Sequence, residues 1–396
     1  MNHMSDLAQP IRGFSDDEFA TRCQNAQSLM IEQNIDAILL TCEPDVRYFT
    51  GYFTRFWESP TRPWFVLLPK AGKPIAIIPA IGADLMSKCW VDDIHTWISP
   101  DLVDDGVTLL SDIILKTIGK NGNLGIPMGH ETHLRMPLAS FFKLQHLTPN
   151  ITIVDASHLL VSLQLVKSDA EIAKIAHICR IADRSFARIE EICAQGRTIS
   201  SVFRNFQRLL LEEGADWVPY MAGGAEQGGY SDVISPASEA LLQDGDIIMI
   251  DTGAVYDGYF CDFDRNFAIG SANQPAHDAY TLLYEATEAG INAAQIGRKA
   301  SDIYQAIADV ISAQKDIGDV GRLGHGLGMR LTEWPSLIAT DHTVLKQNMV
   351  LTIEPSLEIS SGKIMVHEEN IVITKQGAQL LSKRASKHLP ILGASS

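Results

Sequence analysis

DTGAVYDGYFCDFDRNF, residues 251–267, decides the reading of this chain, because it sets acids inside apolar sequence. Four apolar residues at 247–250 run straight into Asp251, and Tyr259, Phe260 and Cys261 lead into Asp262. Downstream, Glu354 ends VLTIE, Glu368 stands in MVHEENIVI, and His325 sits between glycines in GHGLG. An ionised carboxylate in a buried strand is costly unless a cation or several donors compensate it. One such acid reads as a salt bridge or a cap. Four of them, with a glycine-bracketed histidine, read as a metal centre of Asp251, Asp262, His325, Glu354 and Glu368.

Oxygen-rich ligation with one imidazole suits a pair of Mn, Fe, Co or Zn ions, Mn favoured, rather than a structural zinc. Charge supports two ions: the four carboxylates carry four negative charges, which two divalent cations neutralise. Such a pair also activates water at neutral pH and stabilises a developing oxyanion, the needs of amide hydrolysis.

Outward from this region, the sequence is that of a globular protein. Its 396 residues exceed one ordinary core, and 46% hydrophobic with 20% charged residues exclude a disordered chain. A net charge of −16 repels phosphate backbones and anionic lipid, so no nucleic-acid or membrane partner is expected. The polar start MNHMSDLAQPIRGF lacks a secretory pattern, and no apolar run nears the roughly 20 residues of a membrane span. Six scattered cysteines without a CxxC pair suit reduced, mostly buried thiols in a cytoplasmic enzyme.

Helix and strand patterns alternate over the first 155 or so residues. DDEFATRCQNAQSLMIEQN predicts an amphipathic helix; IDAILLT, WFVLLP, IAIIPA and ITIVDAS predict strands; VRYFTGY predicts a strand and turn. This is a small α/β domain over residues 1–160. LVKSDAEIAKIAHICR then opens a long helix, with Ser168 as N-cap and Glu171 completing a capping box. The second domain, 161–396, places a further helix at AHDAYTLLYEATEAGINAAQI between acid-bearing strands, an α+β texture in two halves of similar length.

At these residues the chain resembles the creatinase and Xaa-Pro peptidase family, the M24 metallopeptidases with the pita-bread fold, over essentially its full length. Asp251-Thr252-Gly253 followed by Asp262 eleven residues after Asp251 resembles the family's aspartate pair. GHGLG resembles the segment of its ligand histidine, and IEP, with Glu354 twenty-nine residues after His325, that of its ligand glutamate. HEEN resembles the strand of the last bridging glutamate, which selects Glu368 over Glu369. The resemblance implies a creatinase-type α/β N-terminal domain and an α+β pita-bread catalytic domain in a homodimer. It further implies a dinuclear hydrolase cleaving a C–N bond of a small or short-peptide substrate, most simply an Xaa-Pro dipeptidase or aminopeptidase. In it bridging water attacks the carbonyl and Glu354 moves the proton. Retention of all five ligands sets the chain apart from creatinase itself and from scaffold members.

Three departures bear on substrate. Where the peptidases carry auxiliary histidines this chain has Ile234 and Thr332, and Val366 stands where they carry an arginine. Such losses favour a specialised non-peptide substrate, as in the family's ectoine hydrolases, amidinohydrolases or sulfoniopropionate lyases. The lyases carry Asp-x-Asp at the first ligand, which Asp251-Thr252-Gly253 lacks. Asp264 replaces the usual threonine and reads as an extra catalytic base or supporting acid, against a salt bridge to Arg265 or a backbone cap. FTRFWESPTRPW, residues 53–64, predicts a lid in which Arg55, Trp57 or Arg62 reads the substrate, against tryptophans packed in a core. TEWPS adds Thr332, Glu333 and Trp334 as candidate pocket residues.

Overall fold

The computed structural model describes residues 9–58, 62–315 and 321–393. Its chain forms two units, Ile11–Gln164 and Leu165–Ser396, the latter joined by the first ten residues.

In the first unit a six-stranded mixed sheet runs in the order Asp93–Trp97, Ile75–Pro79, Phe65–Pro69, Ala37–Leu40, Asn123–Ile126, Thr152–Asp155. Its centre is apolar on both faces, so Ala37–Leu40 and Phe65–Pro69 are buried at every position. Helices Val107–Ile118 and Leu138–Leu147 cover one face through Leu110, Ile114 and Leu144. Helix Asp16–Glu32 starts on the Ser15 hydroxyl, which accepts from the Glu18 N–H, and three acids fill its first turn. The segment read as a strand and turn, VRYFTGY, is instead mostly helix Glu43–Thr50. Pro44 in the first turn and Gly51, left-handed at φ 77°, bound that helix at both ends.

The second unit opens as its sequence reads. Helix Asp169–Phe186 carries the complete Ser168–Glu171 capping box. The central strand Asp246–Tyr256 is buried along all eleven residues. It pairs antiparallel with Phe263–Ile269 on one side and with Trp217–Ala222 and Ala225–Gln227 on the other. Asp257 and Gly258 turn the chain with φ of 46° and 70°, the left-handed pair of a tight hairpin. That turn is pinned to the helix: Lys174 Nζ lies 2.7 Å from Asp257, and the Tyr259 hydroxyl donates to Glu171 at 2.9 Å. Phe186 and Phe206, from helices Asp169–Phe186 and Ile199–Glu212, pack with Phe263 and Phe267 on this sheet.

A second sheet orders Glu333–Ser336, Gly324–Gly326, Val350–Ile353, Glu369–Thr374 and Gly377–Leu380. Helices Gln274–Ala293 and Ala300–Ser312 cover it, with Ile303, Ile307 and Ile311 meeting Leu351, Ile353, Ile371 and Ile373. Each half is therefore two helices on a sheet, and the acids stand where the sheets meet. All six cysteines are unpaired, five of them buried. Among the described residues no helix is long and apolar enough to cross a membrane.

Candidate metal centre

The two sheets are stitched by polar side chains beside the acids. Asn370 accepts from the Asp262 N–H at 3.0 Å and returns a bond to the Asp262 carbonyl. The Thr352 hydroxyl lies against that carbonyl and the Glu368 carboxylate. Asp262, just before strand Phe263–Ile269 of the first sheet, thus meets His325 of the second and Glu368, just before its strand Glu369–Thr374, and one ligand atom from each falls within 4.8 Å of the others. His325 Nε2 is 3.4 Å from Asp262 Oδ2 and 3.9 Å from Glu354 Oε2.

The glycines around His325 allow this approach. A Cβ on Gly324 would meet the Thr352 carbonyl oxygen at 2.2 Å, and one on Gly326 the Trp334 carbonyl oxygen at 2.1 Å. The backbone also fixes the imidazole. His325 Nδ1 lies 2.8 Å from the Gly326 carbonyl oxygen, which only accepts, so the proton sits on Nδ1 and the Nε2 lone pair faces Asp262. Burial and the charge of Arg322 push His325 down to about 4, so it is neutral at pH 7.

Burial also raises the acids. Desolvation, then neighbouring carboxylates, push Asp262 and Glu368 well above the ordinary range, and desolvation lifts Asp251. Glu354 rises for the same reason, with Asp251 adding to it. Asp251 and Glu368 are 8% and 2% exposed, and Asp251 Oδ1 has no donor. Glu354 differs: its side chain is 32% exposed, so it reaches solvent. A lone pair facing a carboxylate oxygen, an orphaned carboxylate oxygen and a hard oxygen-rich donor set all fit divalent cations.

Asp264 lies in the same cluster at 2% exposure, accepting from the Glu368 N–H at 3.1 Å. That bond bears out the backbone-cap reading; the salt bridge is not formed, because Arg265 donates to the Asp264 and Glu368 carbonyls and to the Glu369 carboxylate, not to the Asp264 side chain. A base must reach solvent or substrate, and so deeply buried a carboxyl is poorly placed for that role.

Other expectations divide. Glu333 is not presented to a ligand: it is buried and takes Lys167 Nζ at 2.7 Å and the Arg330 N–H at 3.1 Å, since a buried acid needs its cation. Trp334 commits its indole N–H to Thr343. Thr332 accepts from Arg322 at 3.3 Å. Arg55, Trp57 and Arg62 belong to the other unit. Trp57 is 8% exposed, with its ring centroid 6.5 Å from that of Tyr52 and 5.8 Å from that of Trp64. This is packing. Arg55 is exposed and Arg62 lies 5.3 Å from the Phe56 ring; residues 59–61 of that loop lie outside the described ones.

Two residues escaped the sequence reading. Tyr220, opposite Gly253 on the neighbouring strand, hydrogen-bonds Asp251. Arg322 is the cation whose field reaches Asp262, Glu354 and His325. Its place three residues before His325 was the available signal.

Comparison with known proteins agrees with this geometry. The creatinase/prolidase N-terminal domain matches residues 22–166, and metallopeptidase family M24 matches residues 173–376. The Xaa-Pro dipeptidase of Pyrococcus furiosus is 33% identical over 232 residues, 57% of this chain and 65% of that protein. The Xaa-Pro dipeptidase of Pyrococcus horikoshii is 27% identical over 360 residues, 89% of this chain and 94% of that one. The crystal structure of dipeptidase PepE from Mycobacterium ulcerans aligns with a TM-score of 0.83 at 25% identity, covering 96% of this chain and 99% of that one. The chain belongs to metallopeptidase family M24: it is a hydrolase with a creatinase-type N-terminal domain and a pita-bread catalytic domain.

Proposed function

We propose that this enzyme hydrolyses a C–N bond in a short peptide, in the manner of an Xaa-Pro dipeptidase or aminopeptidase P, using two divalent cations with Mn favoured. Asp251, Asp262, His325, Glu354 and Glu368 would hold them. Such a pair supplies carbonyl polarisation and a water of lowered pKa. The observation that carries the reading is His325 Nε2 lying 3.4 Å from Asp262 while Nδ1 is held by the Gly326 carbonyl.

The remaining chemistry belongs to the protein. Glu354, the partly exposed acid of the cluster, takes a proton from the attacking water and delivers it to the leaving nitrogen. Arg322, anchored on Thr332, supplies positive charge for a substrate carboxylate or a developing oxyanion. A homodimer in the cytoplasm is the proposed setting, consistent with six unpaired thiols.

A second reading keeps the centre and replaces the peptide with a small non-peptide substrate. It is favoured by Ile234, 79% exposed, and Val366, 7% exposed, neither of which offers a polar group where the peptidases carry histidine and arginine. One experiment separates the two. Metal content is measured, and Mn-, Fe- and Zn-loaded protein is assayed on Xaa-Pro dipeptides beside ectoine, creatine and sulfonio compounds. Turnover of Ala-Pro or Gly-Pro is the expected result; metal-dependent activity confined to a non-peptide replaces it with the second reading.

A further inference from the structure

Asp264 stands directly across from Asp251 in the antiparallel pair of Phe263–Ile269 with Asp246–Tyr256. Residues opposed in this way project from the same face, with Cβ atoms roughly 5 Å apart, and like charges so placed repel. Both carboxyls are buried, at 2% and 8% exposure. Each also has one oxygen, Asp264 Oδ2 and Asp251 Oδ1, that is sealed from solvent and meets no donor. The other Asp264 oxygen accepts from the Glu368 N–H, and the Arg265 N–H groups are directed to carbonyls and to Glu369. On one face of the sheet, two opposed buried carboxyls therefore each keep an oxygen that no donor among the described residues meets, Tyr220 bonding the Asp251 carboxyl without satisfying that oxygen.

We infer that Asp264 is a further metal ligand, and that its orphaned oxygen and that of Asp251 together coordinate a divalent cation. The centre then offers five carboxylates and one imidazole, and the excess of hard oxygen selects Mn over Zn. The Glu368 N–H to Asp264 bond adds a mechanical link, since seating Asp264 also seats the ligand Glu368. This inference rests on the metal-centre reading above.

The test compares full-length protein, stripped with chelator, with Asp264→Asn and Asp264→Thr. Asparagine keeps the shape and can donate a hydrogen bond but carries no charge, and threonine is the smaller side chain usual in the family. Titration calorimetry gives Mn and Zn affinity, and thermal melting at pH 8 reports the stripped state. A ligand carboxylate gives opposite signs: both stripped variants melt above wild type as the repulsion is relieved, and Mn affinity falls by more than about a hundredfold. That exceeds the ten- to hundredfold typical of groups that only support a ligand. Zn affinity falls less. Asp264→Asn binding Mn within about a hundredfold of wild type overturns the inference, as does a stripped variant that folds but melts below wild type. Wild-type protein that binds no divalent metal overturns the parent reading instead.

Discussion

Glu368 and Glu369 are neighbours in sequence at the entrance of the strand Glu369–Thr374, yet their side chains meet opposite surroundings. Both are buried, at 2% and 0% exposure. Glu369 is compensated by protein: Arg265 at 3.0 Å, Arg384 at 3.2 Å, the Ser382 hydroxyl and the Ala385 N–H. Glu368 receives the Thr352 hydroxyl and lies with Asp262 and His325, and among the described residues no arginine pairs with its carboxylate. The fold thus satisfies one acid completely and leaves its neighbour's charge to something from outside. Side by side, a structural acid and a proposed ligand acid are distinguished by their donors, not by their burial.

The largest expected effect comes from swapping the two roles. Glu369→Gln removes the ion-pair partner of the largely buried Arg265 and leaves Arg384 only Glu288 at 3.5 Å, so it costs about 3–5 kcal/mol with or without metal. Glu368→Gln does the reverse. It removes a charge that has no protein cation, so stripped protein is as stable as wild type or more so, while metal binding collapses. Urea melts of both variants, with chelator and with Mn, check this pair. Equal losses in the two variants would erase the distinction.

A smaller effect follows from pH, because Glu368 and the acids around it carry raised carboxyls while His325 is lowered. Unfolded carboxyls titrate near pH 4. In the folded, metal-free chain burial lifts Asp251 to about 6, burial and the charge of Asp251 lift Glu354 to about 7, and Asp262, Asp264 and Glu368 are also raised. An acid raised on folding stabilises fully below its unfolded pKa, and that stability is lost as pH rises through the folded value. His325, lowered to about 4, and the buried His367, lowered as well, work in the opposite direction below about pH 6.5, but they are two groups against five. Stripped protein therefore melts lower at pH 8 than at pH 5, provided the rest of the chain is comparatively flat over that range. With Mn present the trend reverses, since protons compete with metal for the same oxygens. A stripped protein whose melting point rises towards pH 8 would mean that the acids already have cations inside the fold.

How much of this was legible in the sequence follows the same division. The proposed ligand acids stand out because an acid among strand residues breaks a local pattern, and the capping box at Ser168 and Glu171 is local as well. The compensating groups are not local. Lys167 meets Glu333 across 166 residues, and Asn370 reaches Asp262 across 108. No window of sequence shows either contact. VRYFTGY reads as a strand and turn because Val46, Tyr48 and Phe49 fit both periods, and its helix begins upstream of it, at Glu43 and Pro44. Trp57 looked like a ligand reader and is wall, since an aromatic side chain in a polar loop carries no mark of which way it packs.

That leaves the two loop arginines, where the smallest effect is expected. Arg55 is exposed and Arg62 half-buried beside Phe56, so neither resembles the fully compensated Glu369 nor the dry Glu368. An exposed charge is worth roughly 0.2–1 kcal/mol, because water and salt screen it. If these side chains read a charged substrate, Arg55→Ala and Arg62→Ala each raise KM by no more than about fivefold, with kcat unchanged, and the increase fades in high salt. Trp57→Phe, by contrast, lowers the melting point and leaves KM alone. Initial-rate kinetics at two ionic strengths decide the matter: a KM untouched in both arginine variants makes the whole loop wall, and confines recognition to the unit that holds the acids.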